Sequence, residues 1–319
     1  MIALGIDIGG TYVKFFAVNE KGKVLKSDKM PTYKTLDAEG FLTQLADIIN
    51  SWKKIFKIKD RKDFIVGVGT AGDTDNEKGI LRFAPNLPWR NLKLMEGLKR
   101  KTGCKCFVSN DANMAAWGVY AKELKKKYKN IIVITLGTGI GGGIIVGGKL
   151  LQGATGSAGE LGHVCIDFSE NAPLCGCGQR GCLEAFAGTK GILRMAQAAA
   201  VKNPDCVLAS LLKKNDFSVK LLSDAAAQGD ETALQLWREI GSYLGRGIAG
   251  MVLILNPDAV VLAGGVSRGA EYFLPSVKEV FERQSIKTPF KNLKVLLSDE
   301  GNIGGIGAAL YALSKVNEK

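Results

Sequence analysis

The chain contains a single histidine, and a group of three cysteines lies twelve to nineteen residues after it. Gly159-Glu160-Leu161-Gly162-His163 leads through a loop to Cys175-Gly176-Cys177-Gly178-Gln179-Arg180-Gly181-Cys182-Leu183-Glu184. Three thiolates and one imidazole complete a tetrahedral Zn²⁺ site with no open position, which suits a structural metal and not a hydrolytic one. His163, Cys175, Cys177 and Cys182 are therefore candidate zinc ligands. Cysteines often pack as small hydrophobes, but the glycines between Cys175 and Cys182 leave this knuckle little to bury. A disulfide framework fits less well, because the cysteine count is odd and no secretion leader is expected ahead of it. Glu160 and Glu184 flank the ligands, so a metal clamp would fold two acids toward one point.

Two glycine turns form a second pattern. Residues 6–18, Ile6-Asp7-Ile8-Gly9-Gly10-Thr11 onward, align without gaps to residues 134–146, Ile134-Thr135-Leu136-Gly137-Thr138-Gly139 onward. Each is an apolar strand, a small-residue turn and a second apolar strand. Such turns could grip a polyphosphate, because glycine lets backbone N–H groups approach and accepts positive φ. Residues 137–142 match the dinucleotide glycine pattern literally, but Ile144-Ile145-Val146 continues as a strand where that pattern needs a helix. Residues 143–149 nearly match a P-loop, but Leu150 stands where a hydroxyl must meet Mg²⁺. Asp111 follows a strand-like run and opens a helical one. It is the best candidate for a general base, against the ordinary role of helix capping.

The elements that must position these residues alternate between strand and helix. Strands are expected at 2–8, 13–18, 23–30, 64–69 and 106–109, with helices at 40–56 and 111–124. The second half starts at Ile131, with strands at 131–136 and 144–146 around the glycine turn. Helices follow between 189 and 255, then a strand at 259–263, a helix at 270–281, a strand at 293–297 and a closing helix at 304–313. A chain of 319 residues, 46% hydrophobic and 23% charged, is long enough for two domains. The apolar stretch 247–265 is broken by Asn256-Pro257-Asp258, so no membrane span is expected and the protein reads as cytoplasmic. The net charge of +12 is spread along the chain. Its densest run, Lys125-Lys126-Lys127 with Lys129, suits a solvated helix end, so no nucleic-acid partner is expected, although a positive field favours an anionic ligand.

Together with Gly69-Thr70-Ala71-Gly72, Pro85-Asn86-Leu87-Pro88-Trp89, Asn110-Asp111-Ala112-Asn113 and Ala263-Gly264-Gly265-Val266, these segments resemble the ROK family of sugar kinases and repressors nearly end to end. The resemblance implies an α/β, actin-like ATPase (ribonuclease H-like) fold with two α/β domains around a cleft. The smaller would span residues 1–110 with about 303–319, and the larger residues 111–302 with the zinc knuckle. It implies transfer of the γ-phosphoryl of ATP to a hexose, usually at O6, with glucose expected first. An N-acetylmannosamine or N-acetylglucosamine kinase is the alternative. A sugar-sensing regulator is the rival of another class; such regulators carry a DNA-binding domain before the first glycine strand, for which Met1 is expected to leave no room. Transferred residue by residue, Asp111 is the base. Gly72, Asn86, Asn110, Asp111, Glu160, His163 and Glu184 face the sugar. Asp7, Gly9, Gly10, Thr11, Lys14, Gly137, Thr138, Gly139, Gly141, Gly142, Gly264 and Gly265 hold ATP, with Asp7 also reaching Mg²⁺. Zinc would be structural, Mg²⁺ would come with ATP, and a homo-oligomer, dimer or tetramer, is expected.

Overall fold

The computed structural model describes residues 1–214, 218–298 and 301–317. The chain forms two compact units. The first comprises Met1–Lys129, Gly143–Gly159 and Glu300–Lys319, and the second Asn130–Gly142 and Glu160–Asp299. The excess of positive charge falls on the first unit, whereas the second has as many acids as bases.

In the first unit, β1 (Ile2–Ile8), β2 (Tyr12–Asn19) and β3 (Val24–Pro31) form an antiparallel meander. β4 (Phe64–Thr70) pairs parallel to β1. A small sheet of β5 (Asp73–Asp75), β6 (Ile80–Phe83) and β7 (Leu92–Lys93) comes next. β8 (Lys105–Asn110) then pairs parallel to β4, giving the order β3-β2-β1-β4-β8. The small sheet lies between 69 and 106, where no element is expected from the sequence. Strands of two to four residues are too short to show a hydrophobic period.

Side chains alternate across β1. Leu4, Ile6 and Ile8 join one core with Phe41, Leu45, Ile49 and Trp52 of helix Ala38–Ile55, which Asp37 caps by accepting from the Gly40 amide. Ala3 joins another core on the closing helix Ile303–Asn317, with Ile306, Ala309 and Ala312. On that side glycine is required by close approach: a Cβ on Gly5 or on Gly67 would lie 1.9 Å from the carbonyl oxygen of Gly305 or Ala308, respectively.

The domain boundary expected at residue 110 differs from the observed one. Helix Asp111–Gly118 belongs to the first unit because small residues weld it to the closing helix. A Cβ on Gly307 would lie 1.9 Å from the Met114 carbonyl, and one on Gly118 would lie 2.6 Å from that of Ile303. The helix expected over 111–124 ends at Gly118 and continues as a π-turn, Val119–Glu123.

The second sheet contains β9 (Ile131–Leu136), β10 (Ile140–Val146), β11 (Lys149–Leu150), β12 (Ala259–Ala263) and β13 (Lys294–Leu297), in the order β11-β10-β9-β12-β13. β12 runs parallel to both β9 and β13. β10 begins at Ile140, earlier than the expected start at 144, so Gly141 and Gly142 are strand residues and the turn proper is 137–139. Gly147 and Gly148, both at positive φ, make the two-residue hairpin turn into β11, which removes the P-loop reading. Helices Thr189–Lys202, Val207–Lys214, Val219–Ala227, Glu231–Leu255 and Ala270–Glu282 complete the second unit with shorter turns. Among the described residues, no helix is long and apolar enough to cross a membrane.

Candidate functional site

The candidate residues fall into two clusters, one in each unit. In the first, Asp7 is the penultimate residue of β1 and pairs across the strands with Lys14. Lys14 Nζ donates to Asn302 Oδ1 at 3.0 Å. Gly9, Gly10 and Thr11 form the turn, with the Gly9 amide donating to the Tyr12 carbonyl at 3.0 Å. Asn86 packs on that turn, for a Cβ on Gly10 would lie 3.0 Å from the Asn86 Cβ. Asp111 opens its helix, and the space beside Gly304 lies 3.8 Å from both the Asp7 carboxyl carbon and the Asp111 carbonyl oxygen.

Burial pushes the Asp7 carboxyl up to about 6, the nearby Asp111 charge adds to the rise, and Lys14 opposes it. Burial also raises the Asp111 carboxyl, while the Ala112 amide, 2.9 Å from its Oδ1, pulls the other way. Two buried carboxyls, one of them near enough to the other to disfavour its charge, thus stand with Lys14 opposing that rise, a pair of hard oxygen donors that suits Mg²⁺.

The capping role considered for Asp111 belongs to its neighbour. Asn110 Oδ1 accepts from the Ala112 and Asn113 amides at 2.8 and 3.3 Å, while its Nδ2 donates to the Gly72 carbonyl at 3.0 Å. Of the Asn110 side chain, one amide hydrogen is left over by these bonds. Gly72 has φ +100°, and a Cβ there would come 2.3 Å from the Phe83 carbonyl, so only glycine fits.

The second cluster centres on the knuckle. The ligand atoms of His163, Cys175, Cys177 and Cys182 lie within 4.8 Å of one another. Cys175 Sγ is 3.7 Å from His163 Nδ1, and Cys177 Sγ is 3.7 Å from Cys182 Sγ. Tetrahedral zinc, with Zn–S of about 2.3 Å and Zn–N of about 2.0 Å, requires ligand separations of about 3.8 Å for S···S and about 3.5 Å for S···N. The four side chains fit the ion. Nδ1 faces the thiols, leaving Nε2 4.0 Å from Glu160 Oε2. The 3₁₀ turn Leu161–His163, with Glu160 as its cap residue, places both side chains together. Gly178 and Gly181, at φ +92° and +78°, shape the knuckle.

Glu184 links the knuckle to the glycine turn. Its Oε2 accepts from the Ile140 amide at 2.8 Å, and its Oε1 lies 3.6 Å from Cys175 Sγ. A Cβ on Gly139 would strike the same carboxylate at 2.3 Å. The Gly137 carbonyl accepts from the Thr189 hydroxyl at 2.8 Å and from its amide at 3.0 Å, a fastening that no sequence motif indicates. Thr138 is exposed at the turn tip. Gly142 packs on Leu161, whose side chain a Cβ would meet at 2.4 Å. Gly264, at φ +97°, backs onto the Leu136 carbonyl, and Gly265 opens to free space.

The ROK family profile matches residues 3–315. The chain belongs to the ROK family. It is 37% identical over 279 residues to a glucokinase of Thermotoga maritima, covering 86% of each chain. A ROK family glucokinase from Streptomyces griseus, solved in complex with glucose and AMPPNP, superposes with a TM-score of 0.79 at 35% identity over 98% of this chain and all of that one. A xylose repressor of Caldicellulosiruptor bescii is 30% identical over 92% of this chain and 73% of its own length. Membership settles the fold class as the actin-like ATPase fold, and the kinase relatives mark the chain as a sugar kinase of the family.

Proposed function

We propose that the protein phosphorylates glucose at O6, using ATP. The observation that carries this reading is the pair of buried carboxyls Asp7 and Asp111, both raised, with the Asp7 carboxyl and the Asp111 carbonyl beside the start of the closing helix in a chain of this family. Phosphoryl transfer to an alcohol requires an acceptor for the hydroxyl proton, positioning of the phosphates and neutralisation of the charge developing on them. Asp111 is the proton acceptor. Its raised pKa makes it a stronger base than a solvated carboxylate, and Asn110, not Asp111, holds the N-cap position of the helix.

The turns 9–11 and 137–139 hold the phosphates through the amides at 10, 11, 138 and 139, the Gly9 and Gly137 amides being bonded within the turns, with Thr11, Thr138 and Lys14 beside them and Gly264 and Gly265 against the nucleoside. Mg²⁺, when bound with ATP, neutralises phosphate charge, and Asp7 would hold it. Glu160, His163 Nε2 and the remaining Asn110 amide hydrogen bind sugar hydroxyls, and Gly72, Asn86 and Glu184 are assigned to the sugar with them. His163 Nδ1 and the thiolates of Cys175, Cys177 and Cys182 would hold zinc, which would fix the imidazole ring and leave Nε2 for a sugar hydroxyl. The enzyme acts on small molecules in the cytoplasm, as a homo-oligomer.

The test is ADP release across a panel of glucose, mannose, fructose, N-acetylglucosamine and N-acetylmannosamine. Glucose should give the highest kcat/KM. A preference for an N-acetylhexosamine would move the substrate within the family. Tight sugar binding with no turnover would favour a sugar sensor, the reading to which the repressor relatives point.

A further inference from the structure

Arg82 stands outside every role assigned so far. It lies on β6, partly buried, and its guanidinium gathers three strand residues and a distant loop. Nη1 donates to Asp73 Oδ1 at 2.9 Å and to the Thr74 carbonyl at 3.1 Å. Nη2 donates to the Thr155 carbonyl at 2.9 Å and lies 3.3 Å from Asp75 Oδ2. The Ser157 hydroxyl donates to the same Asp73 Oδ1 at 2.9 Å. Beside it, Asn76 Nδ2 donates to the Gly156 carbonyl at 3.2 Å, and the Asn76 Oδ1 accepts from the Thr74 hydroxyl at 2.8 Å.

The loop so held, residues 153–157, has no buried side chain to anchor it. Gly153 and Gly156 both take positive φ, and a Cβ on Gly156 would come 3.0 Å from the Thr74 carbonyl. Polar contacts, centred on one guanidinium, therefore do the work that apolar packing does elsewhere. Both ends of the fork adjoin residues assigned to the sugar. Asp73 follows Gly72, which receives the Asn110 amide, and β6 leads through Ala84 to Asn86. The loop itself runs, two residues later, into Glu160 and His163.

We infer that Arg82 is a positioning residue of the sugar site, setting hexose affinity and selectivity by fixing loop 153–157 on the hairpin that carries Gly72. This rests on the sugar-kinase reading above. Arginine is required because a planar fork with several donors can hold a carboxylate and a carbonyl from separate segments at once. A lysine, as a single point charge, can neutralise the aspartates but cannot span both.

The experiment compares Arg82→Met and Arg82→Lys with the wild type, all full-length, by hydrogen exchange without substrates and by steady-state kinetics. Amides of 153–158 should exchange about tenfold faster or more in Arg82→Met, with Arg82→Lys between. The glucose KM of Arg82→Met should rise about tenfold or more, with the ATP KM within about twofold, kcat within about threefold, and zinc content unchanged. Discrimination between glucose and mannose should shrink, and Arg82→Lys should restore it in part. Unchanged loop exchange overturns the inference, and so does a loosened loop with an unchanged glucose KM. A parallel loss of kcat, both KM values and thermal stability would make Arg82 a fold residue and also overturn it. A wild-type chain that phosphorylates no hexose would refute the sugar-kinase reading instead, while the exchange measurement still reports on the fork.

Discussion

Replacing Asp7 with Asn should stabilise the protein while disabling it. The Asp7 carboxyl stands near 3.8 when unfolded and about 6 when folded, raised first by burial and then by Asp111. Between these values the native state binds a proton that the unfolded state has released, so stability falls as pH rises through that window and stays reduced above it. A shift of about two units corresponds to about 3 kcal/mol at neutral pH. Asp7→Asn removes the ionisable group and should recover most of that, about 2–3 kcal/mol near pH 7.5. The gain should shrink to about half near pH 5, where much of the native Asp7 is already protonated. The measurement is urea unfolding of the nucleotide-free protein and its variant across this pH range. Turnover should drop at the same time, because the variant lacks the carboxylate assigned to Mg²⁺. A variant less stable than wild type at neutral pH, or a gain that does not vary with pH, would refute the argument that native Asp7 is electrostatically strained.

Asp111→Asn should lower kcat by roughly 10²–10⁴-fold with the glucose Kd nearly unchanged, and it should also lower the Asp7 pKa, read from the pH dependence of unfolding; an unchanged kcat would remove Asp111 as the base. Cys177→Ser should weaken zinc retention by more than about 100-fold, measured by native mass spectrometry, and should weaken glucose binding more than ATP binding by calorimetry, because zinc sets the His163 ring; zinc-free protein with full glucose affinity would uncouple the metal from the sugar. Gly67→Ala forces a Cβ to within 1.9 Å of the Ala308 carbonyl and should cost about 3 kcal/mol, roughly 5–10 °C in Tm, whereas an unchanged Tm would mean that the closing helix is free to shift.

Local order along the chain determined a good part of this protein. Glu160 and His163 stand three residues apart, and the cysteines of the knuckle lie within eight residues of one another, so their convergence needs only short-range turns at Gly178 and Gly181. The period-2 pattern of β1 and the glycine turn after it are equally local, as is the capped helix that begins at Asp37. The partners that tune these groups were decided only by tertiary structure. Asp7 and Asp111 are 104 positions apart in the numbering, and the Asp111 charge acts on Asp7 only because the β1-β4-β8 pairing brings the ends of β1 and β8 to the same edge of the sheet, one strand apart. Helix Asp111–Gly118 joins the first unit through glycine contacts with a helix from the far end of the chain, which no local period encodes. Asn110 takes the capping role that Asp111 would fill as well by residue type, because β8 runs extended to Asn110 and leaves it at the non-helical position where a side chain can reach the Ala112 and Asn113 amides. Arg82 shows the same limit. An arginine in a short strand gives no signal in sequence, and its function comes from a loop more than seventy residues away, brought within hydrogen-bonding reach by the fold.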